Sequence, residues 1–129
     1  MKQHDRELLQ HIVRHCGKIR VYLQRCGNDR ERFMEDSMCQ DACCMCVAQI
    51  GELSGLLSDE FRKAHQELPW RVIKDTRNLY IHNYGSVNME YVWNTCNEDV
   101  PDVMSACTMF LQEENDESEN AEDQNVHTS

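Results

Sequence analysis

The fold is decided by residues 8–26, which read LLQHIVRHCGKIRVYLQRC. The apolar side chains of this stretch recur every three or four residues, which is the spacing of one face of an α-helix. They are Leu8, Leu9, Ile12, Cys16, Ile19, Leu23 and Cys26. Gly27 and Asn28 follow, a pair typical of a helix C-terminus. Helical periodicity continues to residue 111, and no stretch alternates as a strand does. The sequence therefore predicts an all-α protein.

A second long helix is predicted from about Arg32 to Leu53. Its expected buried stripe consists of Met34, Met38, Ala42, Met45, Ala48 or Gln49, and Leu53. Gly51 lowers the stability of this helix by about 1 kcal/mol relative to Ala. A glycine at such a position indicates that another helix packs closely there. Ser54 and Gly55 can end the helix.

Shorter helices are predicted downstream. Ser58 is the expected N-cap of a helix that ends near His65. Pro69 suits the first position of the next helix, where its missing N–H costs nothing, and that helix is predicted to run to about Tyr84. Asn88 is the expected N-cap of a final pair of helical segments at residues 89–98 and 101–111.

Charge is distributed unevenly along the chain, whose formal net charge is −10. The last 18 residues contain seven acids, no Lys or Arg and no aromatic residue, so they are predicted to be disordered. The sequence thus divides into a helical domain, residues 1–111, and an acidic tail, residues 112–129. Two basic blocks, residues 1–30 and 62–77, could form a patch for nucleic acid. Within the first block, Arg14, Lys18 and Arg25 make a basic line that suits either a solvated face or a phosphate-facing strip.

The eight cysteines are interpreted as buried thiols. The N-terminus lacks a secretory signal and no apolar run approaches the roughly 20 residues of a membrane span, so we expect a cytoplasmic protein without a membrane partner. Disulfides are rare in that compartment. Cys39, Cys43 and Cys46 follow the spacing of a helical stripe, and Cys43 and Cys46 form a single Cys-x-x-Cys pair where structural zinc usually needs two. No metal is predicted.

The most informative motif lies in residues 70–84, which read WRVIKDTRNLYIHNY. It contains Arg77-Asn78-x3-His82-x-Tyr84. An arginine can hold a phosphate by paired hydrogen bonds, and an imidazole can act as base or acid near neutral pH. At about 100° per residue, Arg77 and Tyr84 share a face, whereas Arg77 and His82 are about 140° apart. Asn78 lies one turn before His82 and can orient its ring. Two copies meeting at a two-fold axis could bring both side chains into one cleft.

Further landmarks accompany this motif in a fixed order. They are Ile50-Gly51-Glu52-Leu53, Leu68-Pro69-Trp70, the motif itself, Val92-Trp93 and Asp99-Val100-Pro101. With this set, residues 8–111 resemble the HepT-like toxins of the HEPN superfamily. The cysteine-dense second helix and the acidic tail depart from the pattern of that family, but neither touches the motif.

The resemblance implies an up-and-down bundle of four to five helices that forms a homodimer with the motif at its interface. It also implies a metal-independent ribonuclease that needs no cofactor and is the toxin of a type VII toxin–antitoxin pair. Arg77 and His82 match the catalytic positions, Asn78 the supporting position and Tyr84 the tyrosine that an MntA-like nucleotidyltransferase modifies with AMP. The alternative is a catalytically silent protein of the same fold that binds nucleotides and partners such a nucleotidyltransferase.

Overall fold

The computed structural model describes residues 2–70, 73–75 and 87–127, with side chains through residue 117. All regular structure within these residues is helical, which confirms the all-α prediction. The helices are α1 (Gln3–Arg25), α2 (Arg30–Glu35), α3 (Ser37–Leu56), α4 (Asp59–Ala64), α5 (Met89–Asn94), a π-helical turn (Thr95–Asp99) and α6 (Val100–His127). Residues 70 and 73–75 are helical as well. None of the described helices combines the length and apolar character that crossing a bilayer requires.

Helix α1 lies at the centre of the bundle, against α3 on one side and α6 on the other. Its apolar stripe is buried as the sequence predicts. The predicted stop is also confirmed, since Gly27 and Asn28 both have positive φ angles, of 70° and 54°. The Asn28 N–H donates to Leu23 O and the Gly27 N–H donates to Gln24 O, each at 2.9 Å. This pattern satisfies the last carbonyls of the helix.

The predicted long helix from Arg32 to Leu53 is wrong, because the chain breaks at Asp36 into α2 and α3. Asp36 adopts an extended conformation with φ −108° and ψ 92°. Its carboxylate accepts a hydrogen bond from the Cys39 N–H at 3.1 Å, so it acts as the N-cap of α3. The Gln40 side chain donates to two carbonyls at the end of α2, at 2.9 and 3.0 Å. These side-chain bonds replace the backbone bonds that a continuous helix would have made.

The predicted buried stripe of α3 is also corrected. Met38 is 83% exposed and Met45 is 53% exposed. The buried face carries Cys39, Cys43 and Cys46 instead, which confirms the cysteine stripe. The methionine series and the cysteine series both have helical spacing, so periodicity alone does not show which of the two is buried. Thiol side chains are small and apolar, so they suit the face of α3 that packs against α1.

All eight cysteines are free and buried, as the sequence predicts. Burial raises the pKa of the Cys16 and Cys107 thiols to about 12. Thiols in this state stay protonated and behave as small apolar side chains. Among the described residues, no cluster of His, Cys, Asp and Glu is arranged to hold a metal ion.

Asp5 is a buried carboxylate that joins the starts of α1 and α4. It is 2% exposed and accepts hydrogen bonds from the Ser58 backbone N–H at 2.8 Å and from Ser58 Oγ at 2.7 Å. Ser58 Oγ in turn accepts from the Phe61 N–H at 3.1 Å, so the predicted N-cap of α4 is confirmed. Asp5 therefore supports this cap from a distant part of the chain.

Replacing Asp5 with Ala is expected to lower the free energy of unfolding by about 2–3 kcal/mol, because the Ser58 N–H loses a charged acceptor in a partly buried place. Urea denaturation followed by circular dichroism measures the change. Glu7→Ala on the exposed side of the same helix is the matched control, with an expected change within about 0.5 kcal/mol. Equal losses in the two variants would contradict the assigned role of Asp5.

The C-terminal third of the described chain departs from the predicted pair of segments. Asn88 caps α5 as predicted, accepting from the Glu90 and Tyr91 N–H groups at 3.0 and 3.3 Å. Instead of a break, the π-helical turn joins α5 to α6 just before Pro101, which has no N–H to donate to the preceding turn. Helix α6 then continues to His127, and Arg6 donates to Asn115 Oδ1 at 2.5 Å. The predicted disordered tail is therefore not confirmed.

Candidate functional site

The predicted site residues Arg77, Asn78, His82 and Tyr84 lie outside the described residues. Their roles consequently stay predictions. The structure does describe the elements that bound this segment along the chain, at residues 68–70 and 73–75 before it and from Val87 onward after it.

Residues 70 and 73–75 are helical, so a helix starts just after Pro69, at the place predicted for the helix of the motif, whose predicted course to Tyr84 lies outside the described residues. The Ile73 N–H donates to Pro69 O at 3.2 Å, which is the first hydrogen bond of that helix. Ile73 and Leu68 are buried, at 1% and 8% exposure. Trp70 Nε1 donates to His65 O at 3.0 Å, so the indole is fixed against the end of α4. This helical turn before the motif is thereby anchored to the core.

A groove lies beside this anchored turn. It has a volume of about 260 Å³ and is lined by Gly51, Ser54, Gly55, Arg62, Trp70 and Lys74. Ser54 Oγ donates to Ile50 O and Arg62 pairs with Asp59 at 2.6 Å, so both of these groups are satisfied. Within the described residues, the exposed Lys74 makes no ion pair. The groove can therefore offer a positive charge to an anion near the start of the motif helix.

The segment that follows the motif is anchored against α2. Val92 is 1% exposed, and the Trp93 ring lies 5.2 Å from the ring of Phe33 in α2. Arg30 and Glu90 form an ion pair at 2.7 Å between α2 and α5. Both ends of the motif segment are thus attached to well-packed elements.

A second polar feature lies on α1, where Arg14, Lys18 and Arg25 are exposed; we call them the basic row of α1. His11 and His15 lie beside the row. The pKa of His15 is lowered chiefly by burial and further by the positive charges of Lys18, His11 and Arg14. His15 Nδ1 is buried without a hydrogen-bond partner among the described residues. Sequence reasoning found the basic row but missed both histidines, although their i, i+4 spacing places them on the same side of the helix.

Comparison with known proteins identifies the family. Residues 12–109 match the family model described as "Ribonuclease HepT-like". The chain belongs to the HepT-like ribonuclease family. This result confirms the resemblance drawn from the ordered landmarks, which place it among the HEPN proteins.

Two relatives match this HepT-like chain over most of their own length. A protein of Caldanaerobacter subterraneus subsp. tengcongensis, named only as a candidate RNase, is 31% identical over 109 residues, covering 84% of this chain and 96% of the relative. A protein of Thermococcus cleftensis named "Probable ribonuclease HepT" is 30% identical over 102 residues, covering 78% and 90%. No solved structure matches the chain at a comparable level of significance.

Two of the family landmarks lie within helical segments that the structure of this HepT-like chain describes. Residues 50–53 lie in the second half of α3, where Ile50 and Gly51 are buried. Asp99 lies at the end of the π-helical turn, and its pKa is raised by burial and by the charges of Glu98 and Asp102. The described landmarks therefore shape the bundle, while the groups that suit phosphodiester chemistry belong to the motif.

Proposed function

We propose that this protein is a metal-independent endoribonuclease and the toxin of a toxin–antitoxin pair. The observation that carries the proposal is the unsubstituted Arg77-Asn78-x3-His82-x-Tyr84 motif in a chain of a ribonuclease family. A protein that only binds a partner has no need of both the arginine and the histidine. The anchored start of the motif helix supports the proposal, because catalytic groups act best on rigid elements.

Cleavage proceeds by attack of a ribose 2′-oxygen on the neighbouring phosphorus. His82 accepts the 2′-hydroxyl proton as the new O2′–P bond forms. The P–O5′ bond breaks, the leaving 5′-oxygen takes up a proton from water, and His82 returns its proton to the solvent. Arg77 binds the non-bridging oxygens and stabilises the charge that develops on them. The products are a 2′,3′-cyclic phosphate and a 5′-hydroxyl end. In this proposal Asn78 orients the His82 ring by a side-chain hydrogen bond.

The active unit in this proposal is a homodimer. Arg77 and His82 are about 140° apart on a helix, so one straight helix does not direct both at the same phosphorus. A two-fold axis near the motif helix allows Arg77 of one protomer to act with His82 of the other. A cognate MntA-like nucleotidyltransferase is the proposed partner that silences the toxin by AMPylation of Tyr84.

Incubating the purified protein with single-stranded RNA in excess EDTA tests the proposal. We expect cleavage that leaves 2′,3′-cyclic phosphate ends, detected by their conversion to 3′-hydroxyl ends with a phosphatase that acts on cyclic phosphates. DNA of the same sequence is the matched control and is expected to stay intact, because it lacks the attacking 2′-hydroxyl. Intact RNA after long incubation at high protein concentration would instead favour the catalytically silent alternative.

A further inference from the structure

The basic row of α1 continues into an aromatic residue at the C-terminal end of the helix. At about 100° per residue, Lys18, Tyr22 and Arg25 fall within roughly 60° of one another on the helix surface. Arg14 precedes Lys18 by four residues, a rise of about 6 Å along the axis. Positive charges at such intervals suit the successive phosphates of an extended nucleic-acid strand.

Arg14, Lys18 and Arg25 form no ion pair with a described acidic residue. The ion pairs among the described residues involve Lys2, Arg30, Arg62 and His65 as the basic partners, and none involves the basic row of α1. Unpaired Arg and Lys side chains on a chain of net charge −10 mark a local attraction for a polyanion. The pKa of the adjacent His15 is lowered first by burial and then by the charges of Lys18, His11 and Arg14, which places several positive groups together on this side of α1.

A cavity lies at the end of the row, between α1 and α3. Its volume is about 270 Å³, many times the roughly 30 Å³ that one water occupies in the liquid. Its walls are formed by Tyr22, Arg25, Cys26, Asp36, Met38, Cys39 and Ala42. Tyr22 is half-buried, whereas Met38 is 83% exposed. An aromatic ring, a flexible thioether and an adjacent guanidinium suit a planar, uncharged heterocycle.

Asp36 gives this cavity a hydrogen-bond acceptor. Its carboxylate accepts from the Cys39 N–H at 3.1 Å and from Cys26 Sγ at 3.6 Å. A carboxylate offers about four lone-pair sites, so acceptor capacity remains. An acceptor at this place favours a base with an exocyclic amino group over uracil, which has none.

We propose that the basic row of α1 and the Tyr22–Met38 cavity together bind single-stranded RNA, with phosphates on the row and one base in the cavity. The inference rests on the proposed function in taking RNA as the substrate. It adds a substrate-binding subsite that is separate in sequence from the Arg77 and His82 motif. The combination of a cationic line with an aromatic cavity is the arrangement by which proteins bind single strands.

Fluorescence anisotropy with labelled RNA oligonucleotides in EDTA tests the subsite, in a His82→Ala background that prevents cleavage. Lys18→Gln and Arg25→Gln are each expected to weaken binding and to reduce the slope of log affinity against log salt by about 0.7. Arg32→Gln is the matched control, since it removes an exposed charge from α2, outside both basic blocks, and is expected to leave the slope unchanged. Oligo(A) and oligo(C) are expected to bind more tightly than oligo(U).

Tyr22 provides the test of the cavity itself. Tyr22→Leu is expected to weaken oligo(A) binding about tenfold, because stacking of one base on an aromatic side chain is lost. Tyr22→Phe keeps the ring and is expected to bind like the parent protein. Melting curves of both variants establish that they fold, and the exposed Lys18 and Arg25 variants test the row independently of any packing change.

The outcomes separate this inference from the proposed function. RNA cleavage and RNA binding that are both insensitive to Lys18→Gln, Arg25→Gln and Tyr22→Leu would overturn the subsite and leave the ribonuclease in place. Absence of both binding and cleavage by the unmutated protein would overturn the two proposals together. Normal RNA binding combined with loss of a protein partner in these variants would identify the surface as a protein interface and also overturn the subsite.

Discussion

Arg77→Ala and His82→Ala are each expected to lower the initial rate of RNA cleavage by at least about a hundredfold, the low end of what a positioned acid or base contributes. His82→Ala removes the group that accepts the 2′-hydroxyl proton. Arg77→Ala removes the donor that offsets charge on the phosphoryl oxygens. Rates are measured on one labelled RNA in EDTA at equal protein concentration.

Matched controls distinguish lost chemistry from lost folding. Arg32→Ala removes an exposed cation outside the two basic blocks and His4→Ala an exposed imidazole, and both variants are expected to cleave at the parental rate. All four variants should melt at similar temperatures. A full cleavage rate in the Arg77 or His82 variant would remove that residue from the catalytic role.

Mixing the two inactive variants examines whether the site is shared between protomers. A mixed dimer in which Arg77 and His82 act across the interface contains one intact site, so random mixing is expected to restore about a quarter of the parental rate. A site formed within one protomer would stay inactive after mixing. Sedimentation equilibrium gives the oligomeric state, and an active monomer would contradict the shared site.

The parts of the fold that sequence alone predicted are those set by local hydrogen bonding. Ser58 and Asn88 cap helices because their side chains accept from N–H groups two or three residues ahead. Gly27 and Asn28 end α1 because both adopt positive φ angles, which few other residues tolerate. Such interactions need only a few neighbouring residues, so the sequence contains the full signal for them.

The failed predictions depend on contacts between distant segments. Periodicity along α3 fits the Met38 face and the Cys43 face equally well, and only the packing of α1 decides which is buried. The sequence predicts Asp36 inside a continuous helix, but its carboxylate accepts from the Cys39 N–H and so begins a new helix, α3. The same distinction holds for the candidate site. The Arg77–Tyr84 motif and the basic row of α1 can be found from the sequence alone. The cavity beside Tyr22 exists only where α1 meets α3.

Co-expression with a cognate nucleotidyltransferase is expected to convert Tyr84 to an AMP ester and to abolish the ribonuclease activity. The tyrosyl oxygen attacks the α-phosphorus of ATP, the bond to pyrophosphate breaks, and the phenol loses its proton. Tyr84 lies seven residues after Arg77 and therefore on nearly the same face of the predicted helix. The added phosphodiester can pair with the Arg77 guanidinium and occupy the place of the substrate phosphate.

Intact-mass and peptide spectra measure this modification as one or more additions of roughly 329 Da, the mass of AMP less water, on the peptide that contains Tyr84. Tyr84→Phe lacks the attacking hydroxyl, so it should gain no mass and should continue to cleave RNA in the presence of the nucleotidyltransferase. Tyr80→Phe and Tyr91→Phe are matched controls and should be modified and silenced like the parent protein. An unmodified Tyr84 beside an AMP-bearing Tyr80 or Tyr91 would contradict the assignment of Tyr84 as the modified residue.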